Sequence, residues 1–276
     1  MKLFNKVAIV GVGLIGGSIA LAIKKKKLAD EVIGVSRHKN TLLLAKKRGA
    51  IDKGSNNLNI IKDADLVILA TPVSTIIKLA RPVSKIIRRD CLVTDTGSTK
   101  QEIVSRLEKI FPHYVGSHPL AGLEKRGVIY ALPNIFKNSL CILTPTKNTR
   151  SGVQNKIKRF WNRLGAKVVF VSCSNHDKIL SFVSHLPHLA AFSLTDIIPK
   201  KYLGFASTGL RDTTRIAASD SQLWADIFLS NQKNILKTIE LLQDSLSRIK
   251  SAIKKKDKKL LIKILNRAKN KRDSLV

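Results

Sequence analysis

The sequence predicts an α/β fold in which an N-terminal parallel β-sheet with flanking helices is followed by an all-α C-terminal region. Three observations support this prediction. Over the first 170 or so residues, short β-branched runs alternate with amphipathic helical stretches. After Cys173 this alternation stops, and the last hundred residues contain only two glycines, Gly204 and Gly209. With 276 residues and 44% hydrophobic content, the chain can bury the core that both regions require.

The predicted elements follow one another as βαβ units. We expect strands at residues 7–10, 32–35, 66–70, 92–95, 114–116, 140–143 and 167–171. We expect helices near residues 14–26, 41–48, 73–87, 99–110 and 151–163. The change of pattern places the domain boundary near residue 172, which gives a sheet domain at 1–172 and a helical domain at 173–276.

A regular apolar pattern marks one long helix in the helical domain. Its apolar residues recur at alternating spacings of four and three: Ile235, Ile239, Leu242, Leu246, Ile249 and Ile253. Such spacing makes a narrow apolar seam on one helix face. The seam could pack within the domain or against a second copy of the chain. We favour a homodimer, because an all-α domain of this size often completes its core from a twin.

A glycine-rich turn follows the first predicted strand, with the sequence Gly11-Val12-Gly13-Leu14-Ile15-Gly16. In such a turn Gly11 permits the tight bend, Gly13 lets the backbone approach a pyrophosphate, and Gly16 allows close packing of helix on strand. The phosphates would rest on the N-terminus of the following helix. Because a second strand follows at the expected offset, a Rossmann-type dinucleotide site is favoured over a purely structural turn. We expect Gly11, Gly13, Leu14, Ile15 and Gly16 to contact the cofactor.

The end of the second strand indicates which dinucleotide binds. NAD enzymes usually carry an acidic residue there to hold the ribose 2′-hydroxyl, but this chain has Ser36, Arg37 and His38. These side chains can donate to a 2′-phosphate, although they could also be ordinary polar loop residues. The sequence therefore favours NADP. We also assign Thr71 and Pro72, which follow the strand at 66–70, to the cofactor site.

Four further segments are rich in polar, potentially catalytic side chains. They are residues 95–100 (DTGSTK), 116–124 (GSHPLAGLE), 184–188 (SHLPH) and 208–217 (TGLRDTTRIA), the last followed by Trp224. The first two follow predicted strands, where an open α/β sheet presents its ligand crevice. Each segment alone has a plain structural explanation: Ser98 could cap a helix, a histidine could be a satisfied core residue, and arginines are common on surfaces.

Together these segments resemble the prephenate/arogenate dehydrogenase family of tyrosine biosynthesis. The GLIGGS loop, the Asp95-x-x-Ser98-x-Lys100 element, the His118-Pro-x-Ala-Gly element, SHLPH and RDTTRIA occur in the family's order and approximate spacing. The resemblance covers nearly the whole chain. It implies an NADP-dependent oxidoreductase that oxidatively decarboxylates arogenate to tyrosine or prephenate to 4-hydroxyphenylpyruvate. The strand end at residues 34–37 resembles that of NADP-using arogenate dehydrogenases of cyanobacteria, which favours arogenate, although spacing does not settle the side chain of the substrate.

The resemblance also implies roles for individual residues. His118 corresponds to the general base at the C4 hydroxyl of the substrate, and Ser98 to the residue that orients this histidine and touches the cofactor. Arg215 corresponds to the arginine that pairs with the ring carboxylate. Further pocket residues implied by the resemblance are Ser184, His188 and Trp224. Three roles are open for Glu124: it could gate the pocket, contact the amino group of arogenate, or be an exposed helix residue.

Competing interpretations remain. A 3-hydroxyacid dehydrogenase or imine reductase also joins a Rossmann domain to a helical one, but such enzymes typically place a catalytic lysine where this chain has its histidine and arginine motifs. A non-enzymatic NADP sensor is a second alternative. The net charge of +31 raises a third, a nucleic-acid or membrane binder. The lysines are, however, spread over helix faces in both halves, which is typical of a solvated surface, so we expect neither nucleic acid nor membrane as a partner.

The remaining composition indicates a cytoplasmic protein. Three distant cysteines, Cys91, Cys141 and Cys173, predict neither a disulfide framework nor a metal site. The N-terminus lacks the pattern of a secretory signal. We find no apolar run near the roughly 20 residues that span a bilayer.

Overall fold

The computed structural model describes residues 2–275 and confirms the predicted fold class. The strands are β1 (Phe4–Val10), β2 (Ala29–Val35), β3 (Lys53–Ser55), β4 (Leu66–Leu69), β5 (Leu92–Asp95), β6 (Tyr114–Pro119), β7 (Leu140–Thr144) and β8 (Lys167–Phe170). They form one eight-stranded sheet in the order β3-β2-β1-β4-β5-β6-β7-β8. Strands β1 to β3 are added toward one edge of the sheet and β4 to β8 toward the other, so the strand order reverses between β1 and β4. Doubly wound folds bind their ligands at this point.

The helices cover the sheet and then continue alone. They are α1 (Leu14–Lys25), α2 (Lys39–Lys47), α3 (Val73–Ser84), α4 (Gln101–Leu107), α5 (Ser151–Leu164), α6 (Cys173–Leu180), α7 (Leu186–Asp196), α8 (Thr208–Thr214), α9 (Ser221–Ser230), α10 (Gln232–Lys254) and α11 (Lys258–Asp273). A π-helical turn, Ser181–His185, joins α6 to α7. None of the helices in residues 2–275 has the length and apolarity needed to cross a membrane.

Two details of the sheet differ from the prediction. Strand β3 was not expected, because its three residues, Lys-Gly-Ser, carry no apolar alternation. The all-parallel pairing was wrong at one place, since β7 runs antiparallel to β6 with Gly116 opposite Thr144. The reason lies in the connection: residues 120–139 hold only a short 3₁₀ turn, Val128–Tyr130, so no crossover helix returns the chain to the starting edge.

The core has two layers, one on each face of the sheet. Along β1, Val7 and Ile9 belong to one layer, while Ala8 and Val10 belong to the other. Both faces are covered by helices, which explains why the central strands are continuous apolar runs in the sequence. Because β1, β4, β5 and β6 are parallel, their carboxyl ends meet at one edge. The glycine loop, Thr71, Ser98 and His118 all lie at or just beyond that edge.

The described chain forms two compact units, one ending at Asn231 and one beginning at Gln232. The first unit contains the sheet and α6 to α9, since α6 contacts α4 and α9 contacts α3. The second consists of α10 and α11, which contact each other. The long helix expected from the apolar seam is therefore present as α10. The domain boundary near residue 172 stays a prediction.

Candidate active site

A cleft of about 640 Å³ opens at the carboxyl edge of the sheet. It gathers residues that are far apart in the sequence, from the glycine loop to α9. The expected site residues that line it are Gly13, Leu14, Ile15, Thr71, Pro72, Ser98, His118, Ser184, His188 and Trp224. The remaining expected residues lie around the cleft. Gly11 and Gly16 shape the glycine loop, and Arg215 forms an ion pair with Glu124, which lines the cleft. Ser36, Arg37 and His38 follow β2.

The glycine loop has the geometry that its sequence predicts. Gly11 has a φ of +101°, and a Cβ there would lie 2.4 Å from the carbonyl oxygen of Ala70. A Cβ on Gly16 would lie 2.0 Å from the carbonyl oxygen of Gly11. A Cβ on Gly13, in contrast, would meet nothing within 4 Å. Gly13 is the N-cap of α1, whose first turn has no acidic residue, and Gly13, Leu14 and Ile15 line the cleft. The amides that a helix leaves unpaired at its N-terminus are therefore available to an anion there.

Thr71 supplies an independent sign of a ligand beside this loop. Its Oγ1 is buried and has no hydrogen-bond partner in the described part of the chain. Buried hydroxyls are normally paired, because an unpaired one loses its bonds to water without compensation. Since Thr71 also lines the cleft, a bound polar group would satisfy it. The residues present therefore fit a dinucleotide.

The end of β2 lies beside the glycine loop, because the Gly11 amide donates to the Val35 carbonyl at 2.9 Å. Ser36 is half-buried, and Arg37 and His38 are exposed. Residues 36–40 (SRHKN) include no carboxylate. This strand end therefore carries exposed donor side chains and no acidic residue.

His118 stands at the carboxyl end of β6 and faces the cleft. Burial holds the pKa of His118 well below its usual value of 6.5, and the nearby His176, Lys100 and His185 act in the same direction. The imidazole is thus neutral at neutral pH. A neutral imidazole has a nitrogen lone pair that can accept a proton, as a general base requires.

The hydrogen-bond partner of His118 is a residue that the sequence reasoning missed. His118 Nδ1 lies 2.8 Å from Nε2 of His176, and His176 Nδ1 lies 2.7 Å from Oδ1 of Asp177. Both partners are buried on α6. The available signal was an adjacent His-Asp pair shortly after the last strand, but neither residue belongs to a motif that stood out.

Ser98 lines the same cleft but does not orient His118 in this structure. Among the described residues it makes no hydrogen bond to that histidine, whose Nδ1 is taken by His176. Nor does Ser98 cap α4, as it could have done. The Asp177 carboxylate accepts from the Lys100 amide at 2.7 Å and from the Gln101 amide at 2.9 Å instead. Ser98 is left facing the cleft.

The loop that carries Ser98 is held by a buried cluster around Asp95. Lys100 forms an ion pair with Asp95, and both side chains are fully buried. Asp95 also accepts from the Tyr114 hydroxyl and from the Gly97 amide, each at 2.8 Å. Burial, reinforced by Asp95, raises the pKa of Tyr114 well above its usual range, so the phenol keeps its proton and its bond. This buried ion pair, together with the two further hydrogen bonds to Asp95, fixes the loop.

His188, Trp224 and His185 form an aromatic wall of the cleft. The ring of His188 stacks on Trp224 with centroids 3.7 Å apart, and its Nδ1 donates to the Ser184 carbonyl at 2.9 Å. The π-helical turn just before α7 brings His185 against the edge of the same indole. Burial lowers the pKa of His185 to about 4, so it is neutral at pH 7. This wall suits a flat, apolar ring.

Arg215 begins a short 3₁₀ turn and forms an ion pair with Glu124. Glu124 lines the cleft, and the Arg215 side chain is 62% exposed. The interpretation of Glu124 as an exposed helix residue is wrong, because residues 120–127 form an irregular loop and its carboxylate is paired.

Within residues 2–275, no cluster of three or more His, Cys, Asp or Glu could hold a metal ion.

Comparisons with known proteins match both halves of the chain. A family model described as "Prephenate dehydrogenase, nucleotide-binding domain" matches residues 19–170, and one described as "Prephenate dehydrogenase, dimerization domain" matches residues 172–267. Prephenate dehydrogenase from Bacillus subtilis is 35% identical, covering 98% of this chain and 76% of the relative. Cyclohexadienyl dehydrogenase from Zymomonas mobilis is 32% identical, covering 93% and 91%.

Solved structures of prephenate and arogenate dehydrogenases are similar to this chain over nearly its whole length. Prephenate dehydrogenase from Aquifex aeolicus, in complex with hydroxyphenyl propionate and NAD⁺, superposes with a TM-score of 0.93 at 36% identity, covering 99% of this chain and 98% of that one. Synechocystis arogenate dehydrogenase gives 0.83 at 28%, covering 98% and 100%. A 3-hydroxybutyryl-CoA dehydrogenase from Ralstonia eutropha gives 0.54 at 16% over 87% and 94%, which shows a shared fold alone. With both halves matched and its motifs gathered around one cleft, the chain belongs to the prephenate/arogenate dehydrogenase family.

Proposed function

We propose that this chain oxidatively decarboxylates a cyclohexadienol of the prephenate and arogenate class, with a nicotinamide dinucleotide as hydride acceptor. One observation carries the proposal: the neutral imidazole of His118 lies in the same cleft as a dinucleotide loop and an aromatic wall. The names of the relatives support it, since they include prephenate, cyclohexadienyl and arogenate dehydrogenases.

The chemistry follows from what the residues offer. When bound, the nicotinamide ring supplies the acceptor for the hydride that leaves C4 of the substrate. His118 Nε2 takes the proton of the C4 hydroxyl as the hydride leaves. The bond to the ring carboxylate then breaks, CO₂ departs, and the bonding electrons complete the aromatic ring. The proton returns from His118 to the phenolic oxygen, so the products are the phenol, CO₂ and the reduced nucleotide.

The remaining side chains would anchor the substrate. The His188–Trp224 stack and Ser184 form the wall against which the ring lies, and Arg215 pairs with a substrate carboxylate. In the present structure Arg215 is paired with Glu124, so the substrate has to replace Glu124 as its partner. Ser98, which lines the cleft on the loop held by Asp95, would contact both the substrate and the nucleotide.

We propose NADP as the preferred cofactor. Arg37 and His38 are exposed at the end of β2 beside the glycine loop, and no carboxylate in residues 36–40 opposes a 2′-phosphate. The Aquifex relative was solved with NAD⁺, so the two nucleotides have to be compared directly for this chain. The ratio of kcat/KM values for NADP⁺ and NAD⁺ tests the preference.

We also propose that the chain is a homodimer. Residues 172–267 match the dimerization domain of the family. In α10 the seam is only partly covered within the chain, since Ile235 is buried but Leu246 and Ile253 are exposed. Light scattering after gel filtration should give about twice the chain mass of 30.5 kDa. A single-chain mass at micromolar concentration would contradict the proposal.

The catalytic proposal has a direct test. Purified protein is incubated with prephenate or arogenate and with NAD⁺ or NADP⁺, and reduced nucleotide is followed at 340 nm. We expect turnover with at least one of the four combinations. A 3-hydroxyacyl substrate should give no turnover and acts as the control for the alternative dehydrogenase class. Activity on that control alone would overturn the proposal.

A further inference from the structure

A continuous line of three polar side chains runs from the cleft into the interior; we refer to His118, His176 and Asp177 as the triad. The joining distances are 2.8 Å between His118 Nδ1 and His176 Nε2, and 2.7 Å between His176 Nδ1 and Asp177 Oδ1. His176 is fully buried and Asp177 is 1% exposed. Such a line of buried polar groups is rigid when each member is satisfied.

The inner end of the triad is fixed by the backbone. Asp177 Oδ1 accepts the Lys100 amide, and Oδ2 accepts the Gln101 amide. The Asp177 carbonyl accepts from the side-chain amide of Asn231 at 2.8 Å. The carboxylate therefore cannot rotate without breaking bonds to α4. Its position is set by the fold rather than by the histidines.

The order of donors along the triad follows from this anchor. An ionised carboxylate only accepts, so the His176 Nδ1 must carry the hydrogen. In a neutral imidazole the other nitrogen then has the lone pair, so His176 Nε2 is an acceptor. His118 Nδ1 must in turn donate to it. His118 is left with its Nε2 unprotonated, and that is the nitrogen available to the substrate.

Neutrality of both rings supports this order. Burial lowers the pKa of His176, while its bond to Asp177 opposes that effect. The pKa of His118 is lowered well below 6.5, mainly by burial. Both imidazoles are therefore uncharged near neutral pH, which the alternation of donor and acceptor requires.

We propose that His176, anchored by Asp177, is a positioning residue that holds His118 in the Nδ1–H tautomer and so makes its Nε2 the base. The role rests on the proposed function, because it acts through the proton taken from the substrate hydroxyl. His176 also accepts a hydrogen bond from the imidazolium that forms, which stabilises the positive charge at the moment it develops. His176 itself does not touch the substrate.

Two substitutions separate positioning from simple packing. His176→Phe keeps a ring of similar size but removes the acceptor, and it leaves Asp177 on α4. His176→Gln replaces the ring by a side chain whose carbonyl can accept from His118 while its amide donates to Asp177. We expect His176→Phe to lower kcat by roughly 10²-fold, as for loss of an effective general base, with nucleotide KM little changed. We expect His176→Gln to retain kcat within about tenfold of the wild type. A kcat of His176→Phe near the wild-type value, or equal losses in the two variants, would overturn the role.

The tautomer can also be read in the unaltered protein. Nitrogen NMR of protein with ¹⁵N-labelled histidine distinguishes Nδ1–H from Nε2–H rings, and the His118→Asn variant identifies the His118 signals. We expect His118 as the Nδ1–H form at pH 7. An Nε2–H form would overturn the proposal even if the Phe variant did not fold. Because this measurement needs no substrate, it also separates a failure of the positioning role from a failure of the proposed activity, which the wild-type assay at 340 nm reports.

Discussion

Gly13 and Gly16 stand three residues apart in one loop, yet a methyl group at each would meet different surroundings. At Gly16 it would lie 2.0 Å from the carbonyl oxygen of Gly11 and 3.0 Å from Ile9 Cγ2. At Gly13 it would meet nothing within 4 Å and would project from the N-cap of α1 beside the cleft. We therefore expect Gly16→Ala to damage the fold, and Gly13→Ala to damage only dinucleotide binding.

The sizes of both effects can be worked out. Overpacking costs about 1–3 kcal/mol, and the upper end applies at Gly16 because the clashing atom belongs to the backbone. For a domain of this size, roughly 2–4 °C in Tm accompanies each kcal/mol, so Tm should fall by about 6–12 °C. At Gly13 the methyl group would hold the pyrophosphate away from the α1 amides. Losing one charge-assisted hydrogen bond costs about 1.5–3 kcal/mol, which raises Kd by roughly 10- to 150-fold.

The assay combines thermal unfolding without ligand and calorimetric titration with NADP⁺ and NAD⁺. Gly13→Ala should keep Tm within about 2 °C of the wild type, as expected for a substitution with no clash. The Gly16→Ala protein is titrated well below its own Tm. A Gly13→Ala protein that binds nucleotide as tightly as the wild type would refute the phosphate site. A Gly13→Ala protein as unstable as Gly16→Ala would refute the assigned geometry.

Three further outcomes are expected. Arg215→Ala should raise the substrate KM by roughly 10-fold or more and change kcat less, because it loses a charge-assisted carboxylate pair; an unaltered KM would count against the clamp. Arg37→Ala should lower kcat/KM for NADP⁺ by about tenfold and leave kcat/KM for NAD⁺ nearly unchanged. Lys47→Ala, at the far end of α2, is the control. Equal losses of kcat/KM for both nucleotides would show that Arg37 does not bind the 2′-phosphate. The fall of kcat/KM on the acid side of the pH profile should occur below pH 6.5, because the lowered pKa of His118 keeps the imidazole unprotonated at pH 6.5. A fall that begins above pH 6.5 would contradict a buried neutral base.

Much of the fold could be predicted because its signals are local. The apolar runs of β1, β4 and β5 and the glycine spacing depend only on neighbouring residues, and both have the expected structure. Strand β3 could not be found, since it pairs through backbone groups alone and buries almost no side chain. The antiparallel pairing of β7 depends on the absence of a helix between residues 120 and 139, which periodicity does not show reliably.

The site was predictable only in part for a related reason. The residues that face the cleft belong to recognisable motifs, so His118, His188 and Trp224 could be named from the sequence. The residues that support them from behind, His176 and Asp177, lie 58 and 76 positions from the residues they contact on β6 and α4. Each is satisfied by a contact that exists only once the chain has folded. Such supporting residues have no local pattern, and only the structure reveals them.

The most direct test of His118 as the base compares the wild type with His118→Asn, and with His113→Asn as a matched control outside the cleft. Reduced nucleotide, released CO₂ and nucleotide Kd are measured on the same preparations with prephenate and with arogenate. We expect one CO₂ for each nucleotide reduced by the wild type and by the control. His118→Asn should lose roughly 10²-fold or more in kcat with an unchanged nucleotide Kd. Wild-type turnover in the His118→Asn protein would remove His118 as the base, and nucleotide reduction without CO₂ release in the wild type would overturn the proposed reaction.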